Sequence, residues 1–97
     1  MSDQFSRTRL LLGDEAVERL RRAKVIVFGI GGVGGFAAEA LARGGIGRLE
    51  LVDSDVVSLG NLNRQLIALH STIGRAKAEL MAERVRDINP DCELKVH

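Results

Sequence analysis

Five glycines fall within seven residues, Gly29-Ile30-Gly31-Gly32-Val33-Gly34-Gly35, directly after the run Lys24-Val25-Ile26-Val27-Phe28. No other stretch limits the fold as strongly. Glycine gives up more backbone freedom on folding than any other residue, so a cluster is kept where the chain must turn sharply or bring its backbone close to something else. The β-branched and aromatic run before it fits a strand covered on both faces, as in a parallel sheet. After it, small residues continue as a helix to about Arg43. Gly44 and Gly45 can stop that helix, with Gly44 near the first position beyond it. Eight of the 11 glycines lie between residues 29 and 47. Clustered between apolar runs, they predict a built loop and not a linker.

The rest of the chain alternates in the same way. Residues 1–12 read as an arm, polar at first and then Leu10-Leu11-Leu12, broken by Gly13. Asp14 can cap a short helix to about Arg22, with Glu15 and Glu18 early and Arg21 and Arg22 late, as the helix dipole favours. Residues 48–53 predict a second strand with an acid, Asp53, at its carboxyl end. A polar loop follows to about Thr72. A helix over about 75–88 puts Ala78, Met81, Ala82, Val85 and Ile88 on one stripe, and Asn89-Pro90 ends it. Residues 92–96 start a third strand. The order β-α-β-α-β is that of one mononucleotide-binding half of a doubly wound, mainly parallel, Rossmann-like α/β sheet. Residues 1–23 thus form an arm and helix, and residues 24–97 a nucleotide-binding half domain. Such a sheet normally continues with further strands, so the expectation is the front half of a larger fold.

Composition narrows the function. Ninety-seven residues allow one small domain, and 45% hydrophobic with 28% charged residues excludes disorder. The 14 basic and 13 acidic residues are interspersed, with a formal net charge of +1, so no charge field points to DNA or a membrane surface. No apolar run approaches the ~18 residues of a membrane-spanning helix. Met1 to Arg9 is polar and carries no apolar signal region. A cytoplasmic location is the expectation. The single Cys92 excludes a disulfide framework and any multi-cysteine metal site within the chain, and reads as a small buried hydrophobe on a strand. His70 and His97 lie apart and form no ligand constellation. No metal site is predicted among these residues.

The motif Gly29-x-Gly31-x-x-Gly34 follows a predicted strand and opens a predicted helix. Gly29 permits the turn off the strand. Gly31 lets backbone approach a phosphate, and Gly34 lets the helix pack close to the strand. The helix N-terminus then offers free N–H groups and the positive end of its dipole to phosphates. Asp53 can accept hydrogen bonds from both hydroxyls of a ribose, and Asp55 would face the same side of an extended segment. Asn61, Arg64 and Lys77 by themselves read better as a polar turn and two surface cations. A lysine in the first turn of a helix is nonetheless disfavoured by the dipole, a hint that an anion compensates it.

Together, Gly29–Gly34, Leu51-Val-Asp-Ser-Asp-Val-Val57, Asn61-Leu-Asn-Arg-Gln65, Gly74-Arg-Ala-Lys77 and Ile88-Asn-Pro90 resemble the ubiquitin-activating, E1-like family of adenylating enzymes. That family includes the activators of molybdopterin and thiamine sulfur-carrier proteins. The details of 61–69 and 77–90 are most similar to the branch that cyclises threonylcarbamoyladenosine in tRNA. The resemblance implies ATP with Mg2+ as cofactors. Gly32 would lie against the phosphates and Asp53 would bind the ribose. Asn61, Arg64 and Lys77 would contact the triphosphate and stabilise charge on pyrophosphate as it leaves. Arg7, with Arg9 as the alternative, matches the family's arm arginine that reaches the partner subunit's ATP, which implies a homodimer. The family's magnesium-binding Asp, and the zinc-binding C-x-x-C pairs of many members, belong beyond residue 97. The chain alone is therefore expected to be incompetent for the full reaction.

Three other readings stand beside it. One is activation of a ubiquitin-like or sulfur-carrier protein at its C-terminal glycine. Another is an NAD-dependent dehydrogenase, which a glycine loop with Asp53 suits equally, although Asn61, Arg64 and Lys77 would then have no evident use. The third is a non-catalytic nucleotide-binding or dimerisation module.

Overall fold

The computed structural model describes residues 3–97. Its strands, β1 (Lys24–Phe28), β2 (Arg48–Val52) and β3 (Glu93–Val96), form one parallel sheet in that spatial order. The register sets Val25 beside Leu49 and Leu49 beside Leu94, then Val27 beside Leu51 and Leu51 beside Val96. Helix α3 (Val33–Gly44) connects β1 to β2, and α4 (Lys77–Ile88) connects β2 to β3. The expected α/β order is the observed one.

Both crossovers step in the same direction along the sheet. Right-handed connections of that kind put both helices on one face. Val27, Leu49 and Leu51 are buried there with Ala38 and Ala42 of α3 and Met81, Ala82 and Val85 of α4. Small residues on α3 let the helix approach the sheet closely, which suits a core with few aromatics. The other face is open, against the expectation of a strand covered on both sides. Ile26 is 44% exposed and Phe28 74%. The apolar run correctly signals a strand, but within these residues nothing supplies the second cover. The same face also carries charge. Lys24 pairs with Glu50 at 2.6 Å, His97 with Glu50 at 2.8 Å and Arg48 with Glu93 at 3.2 Å. The Lys24 ammonium, and after it the His97 ring, hydrogen-bond to Glu50 and pull its carboxyl down to about 2.

The N-terminal segment is more ordered than an arm. After a single 3-10 turn, Asp3–Phe5, come α1 (Ser6–Leu12) and α2 (Asp14–Arg22). Asp14 does not cap α2. It is the first helical residue, the cap position is Gly13 at φ +85°, and the Asp14 carboxylate takes Arg9 at 3.2 Å instead. The segment is tied to the far ends of the two core helices. Gln4 Nε2 donates to the Ile88 carbonyl at 2.8 Å, and the Phe5 ring lies 3.3 Å from where a Cβ on Gly45 would stand. Gly45, at φ +97°, is the left-handed residue that ends α3, one position later than the sequence suggests. Helix α4 starts at Lys77, and Asn89 closes it by donating from Nδ2 to the Ile46 carbonyl at 3.3 Å. Cys92 is buried, and desolvation raises its thiol pKa, as expected of an inert core cysteine.

Candidate nucleotide site

The glycine loop leaves the carboxyl end of β1 and turns into α3. Gly29 donates to the Val52 carbonyl at 2.8 Å and adopts φ +83°, while Gly32 at the start of α3 has φ +57°. A Cβ on Gly34 would stand 1.6 Å from the Gly29 carbonyl oxygen. No side chain fits there, and the first turn of α3 closes directly onto the loop. Gly31 has a neighbour the sequence does not announce. The space a Cβ would take is filled by the Gln65 carboxamide, with Nε2 at 2.6 Å. The backbone N–H groups of Gly31 and Gly32 have no partner among the described residues.

Asp53 locks this loop to the end of β2. Its Oδ2 accepts from the Ile30 N–H at 2.7 Å and its Oδ1 from the Asp55 N–H at 2.7 Å. The second bond is an Asx turn, so residues 53–55 fold back and do not run extended with both acids on one side. Each carboxylate oxygen keeps a second lone pair, so Asp53 retains acceptors for a ribose.

Beyond Asp55 the chain pairs with the entry to α4. Val57 N–H donates to Arg75 at 3.0 Å, Gly74 N–H to Val57 at 2.8 Å and Lys77 N–H to Asp55 at 3.0 Å. This short ladder carries Lys77, the first residue of α4, to the carboxyl ends of the strands. Lys77 is only 7% exposed, and its ammonium has neither hydrogen bond nor counter-ion among the described residues. The aliphatic stem is covered while the ammonium itself reaches the surface, and a cation at a helix N-terminus is disfavoured by the dipole unless an anion lies beside it.

Between these segments lies the turn that carries Asn61, Arg64 and Gln65. Asn61 Oδ1 accepts from the backbone N–H of Ser58 at 2.9 Å and from its hydroxyl at 3.1 Å, which leaves the Asn61 amide N–H groups as donors. The exposed Arg64 guanidinium donates to the Gly60 carbonyl at 3.2 Å and to Asn63 Oδ1 at 2.9 Å. Sequence reasoning assigned Gln65 no role. It closes the Asn61–Gln65 motif and presses this turn onto the glycine loop, a contact that the motif alone does not announce.

Arg7 is not brought to the loop. It is exposed on α1, which packs chiefly on α2, and Gln4 and Phe5 anchor that region at the carboxyl ends of α4 and α3. The loop sits at the other end of α3, whose 12 residues span roughly 18 Å. A cleft of about 680 Å³ lined by Gln4, Arg43, Arg84, Asp87 and Ile88 also lies at that far end. Its arginines are already paired with Glu39. The uncompensated donors are those at the loop. Among the described residues no group of three or more His, Cys, Asp or Glu could hold a metal, and no helix is long and apolar enough to cross a membrane.

A parallel α/β sheet with a glycine loop, a strand-end acid and an unpaired lysine at one edge defines a nucleotide-binding protein of the doubly wound class. Comparison with known proteins takes this further. Residues 5–97 match the ThiF family, and the chain belongs to it. It is 56% identical over 94 residues to the tRNA threonylcarbamoyladenosine dehydratase of Bacillus subtilis, covering 97% of this chain and 37% of that protein. Identity to the dehydratase of the same name from Escherichia coli is 52% over 93 residues, covering 96% of this chain and 35% of that one. A crystal structure of the E. coli dehydratase in complex with ATP superposes with a TM-score of 0.95 at 50% identity, covering 98% of this chain and 39% of that one. The chain therefore spans little more than a third of the length of these relatives.

Proposed function

We propose that this chain forms the ATP-binding part of an adenylating enzyme that cyclises threonylcarbamoyladenosine in tRNA. The observation that carries the reading is Lys77, whose stem is buried and whose ammonium has no counter-ion among the described residues, close to a loop whose Gly31 and Gly32 N–H groups are unpaired. These are donors with no protein acceptor, and a triphosphate supplies acceptors for all of them. Asp53 receives the ribose hydroxyls. Asn61 offers its amide N–H groups, and Arg64 swings from its turn to the phosphates. Magnesium would arrive with ATP, held by phosphate oxygens and waters, its protein carboxylate being the one the family resemblance puts beyond residue 97.

The reaction follows from that placement. The carboxylate of the threonylcarbamoyl group attacks the α-phosphorus, and pyrophosphate leaves as the P–O bond to it breaks. Lys77 and Arg64 balance the charge that builds on the departing oxygens. An internal nucleophile of the same modified base then attacks the acyl carbon, expels AMP and closes the ring, with net loss of water. The enzyme would be a cytoplasmic homodimer. In support, Leu10 and Leu11 on α1 are 86% and 88% exposed, an apolar patch a second copy can cover, and Arg7 lies one helical turn away.

Pyrophosphate–ATP exchange by the full-length protein that carries this chain tests the reading, with threonylcarbamoyl-modified tRNA and a ubiquitin-like carrier protein offered separately. Exchange with the tRNA is expected. Exchange with the carrier alone assigns the chain to carrier activation. Exchange with neither, together with tight NADH binding, rejects adenylation.

A further inference from the structure

Arg43 and Arg84, towards the carboxyl ends of α3 and α4, share a single partner. Arg43 Nε donates to Glu39 Oε2 at 3.2 Å, while Arg84 donates from Nε to Oε1 and from one terminal nitrogen to Oε2 at 3.4 Å. One carboxylate cannot neutralise two guanidinium groups, so the three side chains together keep a positive charge. They are also layered. The Glu39 side chain is 18% exposed, against 59% for Arg43 and 40% for Arg84. The anion lies beneath and the cations face outwards, so solvent meets the positive side.

A guanidinium carries five N–H donors, and one held through Nε keeps its terminal nitrogens for another acceptor. Both terminal nitrogens of Arg43 and one of Arg84 have no partner among the described residues. Glu39 already fixes both planes, so less side-chain freedom is lost when an anion docks. The two arginines line the cleft of about 680 Å³ together with Gln4, which is itself held by its bond to the Ile88 carbonyl. Asp87 is the one acid of that lining, and it is exposed. Planar, forked donors on an open polar surface suit a phosphodiester. The cleft lies a helix length, roughly 18 Å, from the glycine loop. A nucleic-acid strand advances about 3.4 Å per nucleotide along its axis, so an RNA whose reacting base sits at the loop passes the cleft ~5 nucleotides further on.

We propose that Arg43 and Arg84 form a contact site for the phosphate backbone of the substrate tRNA, one helix length from the reacting adenosine. The inference rests on the tRNA reading and adds to it a surface that holds the RNA away from the chemistry. Contacts of this kind fix register and carry no sequence information. Glu39 is the positioning residue, aiming both guanidinium groups into the cleft, and Asp87 opposes binding from the same lining.

Filter binding of threonylcarbamoyl-modified tRNA to the full-length protein that carries this chain, at several salt concentrations, tests this beside ATP titrations and thermal melts. Arg43→Gln should raise the tRNA Kd roughly 3- to 10-fold at low salt and flatten the plot of log affinity against log salt by about one unit, the signature of one lost phosphate contact. Its ATP affinity and melting temperature should stay near those of the parent, because Arg84 still holds Glu39. Asp87→Asn removes the opposing charge and should tighten tRNA about 2-fold at low salt. A parent-like Kd and salt slope in Arg43→Gln overturn the proposal. Weaker tRNA binding that comes with a lowered melting temperature and an unchanged salt slope overturns it in favour of a role in the fold. A parent whose pyrophosphate exchange responds to a carrier protein and not to the tRNA removes the underlying reading, and this site with it.

Discussion

Lys77 has a buried stem and an ammonium without a counter-ion among the described residues, so its binding role can be separated from stability. Replacing it with methionine keeps the aliphatic packing and removes the charge. Lys77→Met should leave the melting temperature nearly unchanged, while pyrophosphate exchange by the full-length protein falls on the order of 10²–10³-fold. A destabilised variant with normal exchange would show that the ammonium serves the fold. Arg64→Ala should cut exchange similarly without affecting the melt, because its guanidinium is exposed and bonded only within its own turn. The glycines divide in the same way. Gly34→Ala drives a methyl group into the Gly29 carbonyl and should destabilise by about 1–3 kcal/mol or more. Gly31→Ala meets only the mobile end of Gln65 and should leave denaturant midpoints nearly unchanged. Asp53 and Lys77 were legible because strand ends and helix starts have local signatures. Gln65 was not, since its partner at Gly31 is brought to it only by the fold.

Helices α3 and α4 are joined across the core face by charge as well as packing. Glu39 on α3 accepts from Arg84 on α4 and from Arg43 on its own helix. The Arg84 hydrogen bond is the main reason its carboxyl titrates below the ordinary 4.5. A depressed folded pKa means the unfolded chain takes up the proton first. The stabilisation is thus complete above about pH 4.5 and fades as pH falls towards the lowered value. Melting temperatures of the parent and Glu39→Gln should differ most near neutrality and converge on acidification below pH 4.5. A gap that stays constant with pH would assign the effect to packing. The existence and order of the elements could be read from apolar periodicity and glycine punctuation. Their caps could not. Gly45 and not Gly44 ends α3, and Gly13 and not Asp14 precedes α2, because each choice depends on what lies against the helix end. At Gly45 that is the Phe5 ring.

Across the whole molecule, one face of the sheet is packed and the other is bare at Ile26 and Phe28, while α1 presents Leu10 and Leu11 to solvent. Apolar patches of this kind mark surfaces that are covered in the working assembly. Sedimentation of the full chain should show a dimer that Leu10→Asp combined with Leu11→Asp converts to monomer, with nucleotide affinity reduced if Arg7 acts in trans. Dimers that persist in the double variant would place the interface elsewhere. The sequence by itself determined the βαβαβ order, the glycine loop, the strand-end Asp53 and the family, because these are written in near neighbours and in spacing. It could not say which sheet face is covered, that residues 6–12 coil into a helix on α2, or that Gln65 lies over Gly31. Those depend on crossover handedness and on contacts between distant segments. Such contacts form only when the chain has closed on itself, so no local pattern encodes them.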